Sequence, residues 1–212
     1  MPRSSRRQSY HHGDLRKALI VSALHALERE GWEALSIKDL AERAGVARSA
    51  PYRHFESRDE LLAAVAAEGF GHLIEDIAVA APDDLPPIRL RAVCDAMLTF
   101  AERRPQLFRL MFRSDLLVRA GGVPAALERP AGEAYLRFEE VVISALPDSM
   151  VDRVKASTVA LWSMVFGFAV LSAEGRIKPF MHSPVDRETL RRQLLDTVAA
   201  VIAPHQEQPT PL

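Results

Sequence analysis

The stretch at 36–58, SIKDLAERAGVARSAPYRHFESR, constrains the fold more than any other. Ser36 suits a helix N-cap, because its hydroxyl can accept a bond from a backbone N–H left unpaired in the first turn. Ile37, Leu40, Ala41 and Ala44 recur at helical spacing and define one buried face. Gly45 follows, where a left-handed backbone costs least. Val46 reopens the chain into a second short segment, 47–55, where Arg48, Ser49, Arg53 and His54 stand among Ala50, Tyr52 and Phe55. Two short helices about a glycine, the second with a polar tip, are the sequence form of a helix-turn-helix. Pro51 fits only in the first turn of that second helix. The helix is therefore expected to begin near Arg48 or Ser49, with 48–50 at the end that points into a major groove.

With its flanks, this stretch resembles the TetR/AcrR family of bacterial transcriptional regulators. The matching residues are Ala34-Leu35-Ser36-Ile37, Ala41-Glu42-Arg43-Ala44-Gly45-Val46, Tyr52-Arg53-His54-Phe55 and Ser57-Arg58-Asp59-Glu60-Leu61-Leu62. They cover roughly 10–62. The run Tyr10-His11-His12-Gly13-Asp14-Leu15-Arg16 is similar to one branch, in which a late helix carries Trp followed by His-Gly. Here the late match is Trp162…Phe166-Gly167, with Phe in place of His.

Charge distribution agrees with a nucleic-acid-binding head. Residues 1–58 hold 11 Lys+Arg against 7 Asp+Glu, leaving 16 and 21 of the chain's 27 and 28 for the rest. A basic head on an acidic body confines polyanion binding to the head. Cys94 is the only cysteine, so no internal disulfide forms, and its apolar helical setting makes it a small buried hydrophobe. No secretory signal is legible and no apolar run reads as a membrane span, so a cytoplasmic location without membrane contact is expected.

In chain order, 1–12 reads as a flexible arm whose Arg3, Arg6 and Arg7 either reach a minor groove or remain solvated. Adjacent His11 and His12 point apart and make a poor metal pair. Asp14 is expected to cap a first helix over 15–30, with Gly31 ending it and Trp32 and Leu35 plugging the small core. Ser57 caps a long fourth helix to about residue 80, about 23 residues and about 35 Å, with Gly69 and Gly71 permitting a bend. Further helices are expected over 88–103, 105–112, 124–145 (kinked or split at Pro130 and Gly132), 149–173 and 187–203. The last two are capped by Asp148 and Asp186. The result is an all-α chain of about nine helices. It comprises a three-helix DNA-binding domain at 13–60, a larger helical ligand-binding and dimerisation domain at 61–204, and a tail at 205–212.

Base contacts are expected from Arg48 and Ser49, joined by the methyls of Ala47 and Ala50. Phosphate contacts are expected from Ser36 and Lys38, and the resemblance adds Tyr52, His54 and Arg58, whose matching positions face the DNA backbone. The Tyr52 ring has a competing role in core packing. One head makes few contacts, so two on a homodimer would read a pseudo-palindromic operator. Residues 159–171 are apolar nearly all round, which suits one side against the body and the other against a second subunit. The expected interface is Trp162, Phe166, Val170, Leu190, Leu194 and Val198. The resemblance implies a cavity for a small-molecule effector, and residues suited to line it are Phe100, Phe108, Met111, Phe112, Tyr135, Phe138, Trp162 and Phe166. Aromatic residues at helical spacing serve equally as plain core. No catalytic constellation, metal set or cofactor motif accompanies these features. The competing class is a helical ligand carrier or interaction protein without sequence-specific DNA binding.

Overall fold

The computed structural model describes residues 12–113, 123–177 and 186–202. Its elements are α1 (His12–Glu30), α2 (Ile37–Arg43), a 3-10 turn (Pro51–Arg53), α3 (Arg58–Val79), α4 (Pro86–Arg103), α5 (Pro105–Met111), α6 (Ala125–Ala145), a second 3-10 segment (Asp148–Arg153), α7 (Val154–Ala173) and α8 (Arg187–Val201). No strand occurs among the described residues. Residues 1–11 of the expected arm, Arg3, Arg6, Arg7 and His11 among them, and the expected tail at 205–212 lie outside the described residues, while His12, the last residue of that arm, already belongs to α1.

Local signals set most helix ends. Gly31 and Gly45 adopt φ of 77° and 67°, the left-handed conformation that ends α1 and α2. Ser57 Oγ accepts from the Glu60 amide at 3.1 Å, and the Glu60 carboxylate accepts from the Glu56 amide at 2.6 Å. Asp186 caps α8 through the Thr189 amide at 2.9 Å and the Thr189 hydroxyl at 2.6 Å.

Several expectations change. Asp14 is not a cap, because α1 already begins at His12. Ser36 stands at the N-cap of α2 with an extended backbone, but its hydroxyl makes no capping bond. The expected third helix over 47–55 is an open turn followed by one 3-10 turn. Pro51 sits at its first position, and the His54 and Phe55 amides both reach the Pro51 carbonyl, at 2.9 and 3.0 Å. α3 continues through Gly69 and Gly71, and α6 remains one helix with Pro130 inside it. The residues at 148–153 wind as 3-10, so α7 starts later than expected.

Among the described residues one core runs from Leu15 in α1 to Ile202 after α8. α3 leaves the small head and packs chiefly against α6 and α5, while α4 lies against α7, α6 and α8. At Gly69 the approach of α5 is close: a Cβ there would lie 2.6 Å from Met111 Sδ. α7 is long and apolar enough to cross a membrane by length and composition, with mean hydropathy 1.7. Its buried residues, Ser157, Thr158, Leu161, Val165 and Ala169, form one stripe at helical spacing against the protomer.

Candidate nucleic-acid interface

The head is built on α1, α2 and the start of α3, closed by buried Leu19, Ala23, Leu27, Leu40, Phe55 and Leu62. Burial of Phe55 and Pro51 anchors the 3-10 turn from below. The residues before it are thereby pushed outward. Ala47, Arg48 and Ser49 are exposed, and Ala50 is half-buried. Arg48 is 75% exposed and pairs with a similarly exposed Glu42 at 3.6 Å, a pair of the kind that contributes little in water. A guanidinium held so loosely is available to a guanine edge.

Around this tip lie the expected backbone contacts. Lys38 is exposed, Tyr52 is 47% exposed, and His54 is half-buried. The Ser36 hydroxyl, without a capping bond, is uncommitted to α2. Arg58 differs. Its guanidinium turns inward and donates to the carbonyls of Leu35 at 2.7 Å, Glu33 at 3.1 Å and Trp32. It also lies 5.8 Å from the Trp32 ring centroid. By holding three carbonyls of the loop 32–35, Arg58 braces the entry to α2. Arg16, which sequence reasoning passed over, stands over the Phe55 ring at 5.2 Å and adds a cation beside the turn. Nothing local in the sequence links it to Phe55. A bidentate Arg43–Glu30 bridge, 2.9 Å to both oxygens, ties α2 to α1. Its hydrogen bonds first, and the carboxylate charge second, raise Arg43 above its ordinary pKa.

Six of the eight residues expected to line a ligand cavity, Phe108, Phe112, Tyr135, Phe138, Trp162 and Phe166, come together in one aromatic cluster. Phe108, Phe112 and Phe166 stack with centroids 4.8–5.6 Å apart, Trp162 meets Phe138 at 5.4 Å, and Tyr135 meets Trp162 at 6.2 Å. Met111, Phe100 and Phe138 are fully buried. Phe100 stands apart from the cluster, beneath Arg104 at 5.0 Å. The void beside the cluster measures about 10 Å³, room for a water at most. A larger cleft of about 200 Å³ lies elsewhere, between the ends of α4 and α7 and the start of α8.

The residues expected at a subunit interface divide. Val198 is fully buried in the protomer and is not available to a partner. Trp162 and Phe166 turn toward the aromatic cluster, and Val170, Leu190 and Leu194 are half-buried. The outward apolar surface of α7 is instead Val159, 55% exposed, Leu171, 41% exposed, and Ala160 between them. Among the described residues no group of three His, Cys, Asp or Glu is arranged to hold a metal.

Such a fold and tip define a helix-turn-helix DNA-binding protein with a large helical body. A profile described as "Bacterial regulatory proteins, tetR family" matches residues 19–65, and one described as "Tetracyclin repressor-like, C-terminal domain" matches 90–198. The chain belongs to the TetR family of DNA-binding transcriptional regulators. It is 32% identical over 102 residues to the HTH-type transcriptional activator FasR of Mycolicibacterium smegmatis, covering 47% of this chain and 46% of that one. It is also 32% identical over 126 residues to the class C tetracycline repressor protein of Escherichia coli, covering 58% and 52%. The chain thus spans about half the length of these two relatives. A protein of unknown function from Rhodococcus sp. RHA1 shares the fold with TM-score 0.77 at 25% identity, over 93% of this chain and 100% of that one. A tetR-family transcriptional regulator from Streptomyces coelicolor shares it with TM-score 0.67 at 20% identity, over 89% and 80%.

Proposed function

We propose that the protein is a homodimeric repressor that reads a pseudo-palindromic operator and is released by a small apolar or aromatic ligand. The observation that carries the DNA reading is the exposed, loosely paired Arg48 beside Ser49 at the tip of a rigidly anchored turn. Arg48 and Ser49 take the base edges, with Ala47 and the half-buried Ala50 in support. Ser36, Lys38, Tyr52 and His54 take phosphates, and Arg16 joins them. Arg58 is withdrawn from that set.

Dimerisation is supported by α7. Its outward side leaves Val159, Ala160 and Leu171 exposed on a very apolar helix. A second copy laid against Val159, Ala160 and Leu171 covers it, with α8 alongside. Similarity to the tetracycline repressor supports repression. The effector must part the Phe112–Phe166–Trp162 cluster to enter, since the void beside it is water-sized. A ligand that fits only the parted cluster shifts the equilibrium toward it; tight binding to both states shifts nothing.

The test is selection of DNA from a random pool, followed by titration of the selected site. Arg48→Ala is expected to weaken binding by roughly 5- to 150-fold and to relax preference at one base per half-site. Leu171→Glu is expected to yield monomers by light scattering. Wild type without preference over random DNA at moderate salt leaves the protein a helical carrier or interaction protein instead.

A further inference from the structure

α5 contains only seven residues, yet it touches the head at both ends. Its N-cap residue Arg104 offers no side-chain cap, and Pro105 has no N–H. The next two amides are satisfied from α1. Glu28 Oε1 accepts from the Leu107 amide at 2.9 Å and Oε2 from the Gln106 amide at 3.4 Å. Glu28 thus supplies in trans the cap that the chain omits locally, 79 residues away. Just past the other end, the Arg113 guanidinium lies 3.5 Å from the Trp32 ring centroid. Trp32 belongs to the loop whose carbonyls Arg58 holds, and that loop leads straight into the N-cap of α2. Between its ends α5 sends Phe108 into the aromatic cluster and Met111 against Gly69 of α3.

We infer that α5 is a strut, clamped to the head at one end by Glu28 and at the other by Trp32 under Arg113, and that these are positioning residues which fix the angle of the DNA-reading head on the body. α3 joins head and body along one line only, and one helix leaves the head free to swing about it. Two further attachments remove that freedom. This rests on the dimeric reading above insofar as the head angle sets which half-site spacing is accepted.

The test has two arms. In the free protein, spin labels at Asp39→Cys in the head and Glu140→Cys in the body, diluted with unlabelled subunits, report the head–body distance distribution. Both positions are exposed and native Cys94 is buried. Glu28→Ala and, independently, Arg113→Gln are expected to broaden a narrow wild-type distribution, with Glu28→Gln intermediate because one acceptor oxygen remains. On DNA, the selected site is re-made with its half-sites shifted by one or two base pairs. Discrimination against shifted sites is expected to fall by roughly two- to thirtyfold, the range given by loss of a helix cap, while affinity at the best spacing holds. Distributions as narrow as wild type in both variants overturn the strut, and so does equal broadening in Arg192→Ala on the exposed surface of α8. Should wild type itself accept all spacings, the two-half-site reading fails and the distance measurement alone decides the strut.

Discussion

Two glycines in one helix give opposite predictions. Gly69 and Gly71 both lie inside α3, so replacing either by Ala gains the same helix propensity, about 1 kcal/mol. Their surroundings differ. A Cβ at Gly71 meets nothing within 4 Å. At Gly69 it would sit 2.6 Å from Met111 Sδ, 2.9 Å from Met111 Cγ and 3.0 Å from Leu107 Cδ1. Met111 is fully buried and has no solvent to retreat into, so α5 itself must move. Overpacking of this kind costs about 1–3 kcal/mol. Propensity cancels in the comparison, and the gap between the two variants is the overpacking cost alone. At about 2–4 °C per kcal/mol for a chain of this size, Gly71→Ala should melt roughly 2–12 °C above Gly69→Ala. Gly71→Ala should also exceed wild type. Calorimetry at one fixed protein concentration measures this, since an oligomer's melting point depends on concentration. Equal stabilisation by both substitutions would refute the close seating of α5 on α3, and with it the middle attachment of the strut.

Arg58→Met should lower stability by at least about 2 kcal/mol, because three carbonyls lose a charged donor. The slope of log affinity against log salt should stay at the wild-type value; a decrease of about one would restore Arg58 to the phosphate contacts. Tyr52→Phe should weaken binding to specific and random DNA by the same factor, and a loss confined to the specific site would make the hydroxyl a base reader. Burial, with the nearby Asp95 charge second, pushes the Cys94 thiol up to about 12 from 9.0. Its contribution to stability is therefore complete below pH 9 and declines as pH rises from there toward 12, by about 1.4 kcal/mol per unit. Thiol reagents at pH 8 should leave the folded protein unlabelled and label it once unfolded.

Helix boundaries governed by one or two neighbouring residues were legible in the chain. Gly31 and Gly45 needed a left-handed backbone, and Ser57 and Asp186 had an amide three residues on to cap. The apolar excess on α7 was legible too, as a helix with more greasy surface than one protomer covers. What stayed hidden was long-range. Arg58 looks like any cation at a helix start; the carbonyls that capture it belong to residues 23–26 positions earlier. Glu28 looks like a solvated charge until α5 arrives beside it. Counting aromatic residues located the cluster but could not tell a lined cavity from interlocked rings, because both place the same side chains at the same helical spacing. Pro51 marked a first turn, but nothing local marked how soon the helical winding after it would stop.

The brevity of the recognition turn has an evolutionary consequence. Its anchoring falls to Pro51 and Phe55, while Arg48 and Ser49 contribute almost nothing to the interior. On the base-reading role proposed for Arg48 and Ser49, operator preference and foldedness are written in separate residues. A lineage carrying this scaffold can exchange those two letters, acquire a new set of target genes, and leave the melting point where it was.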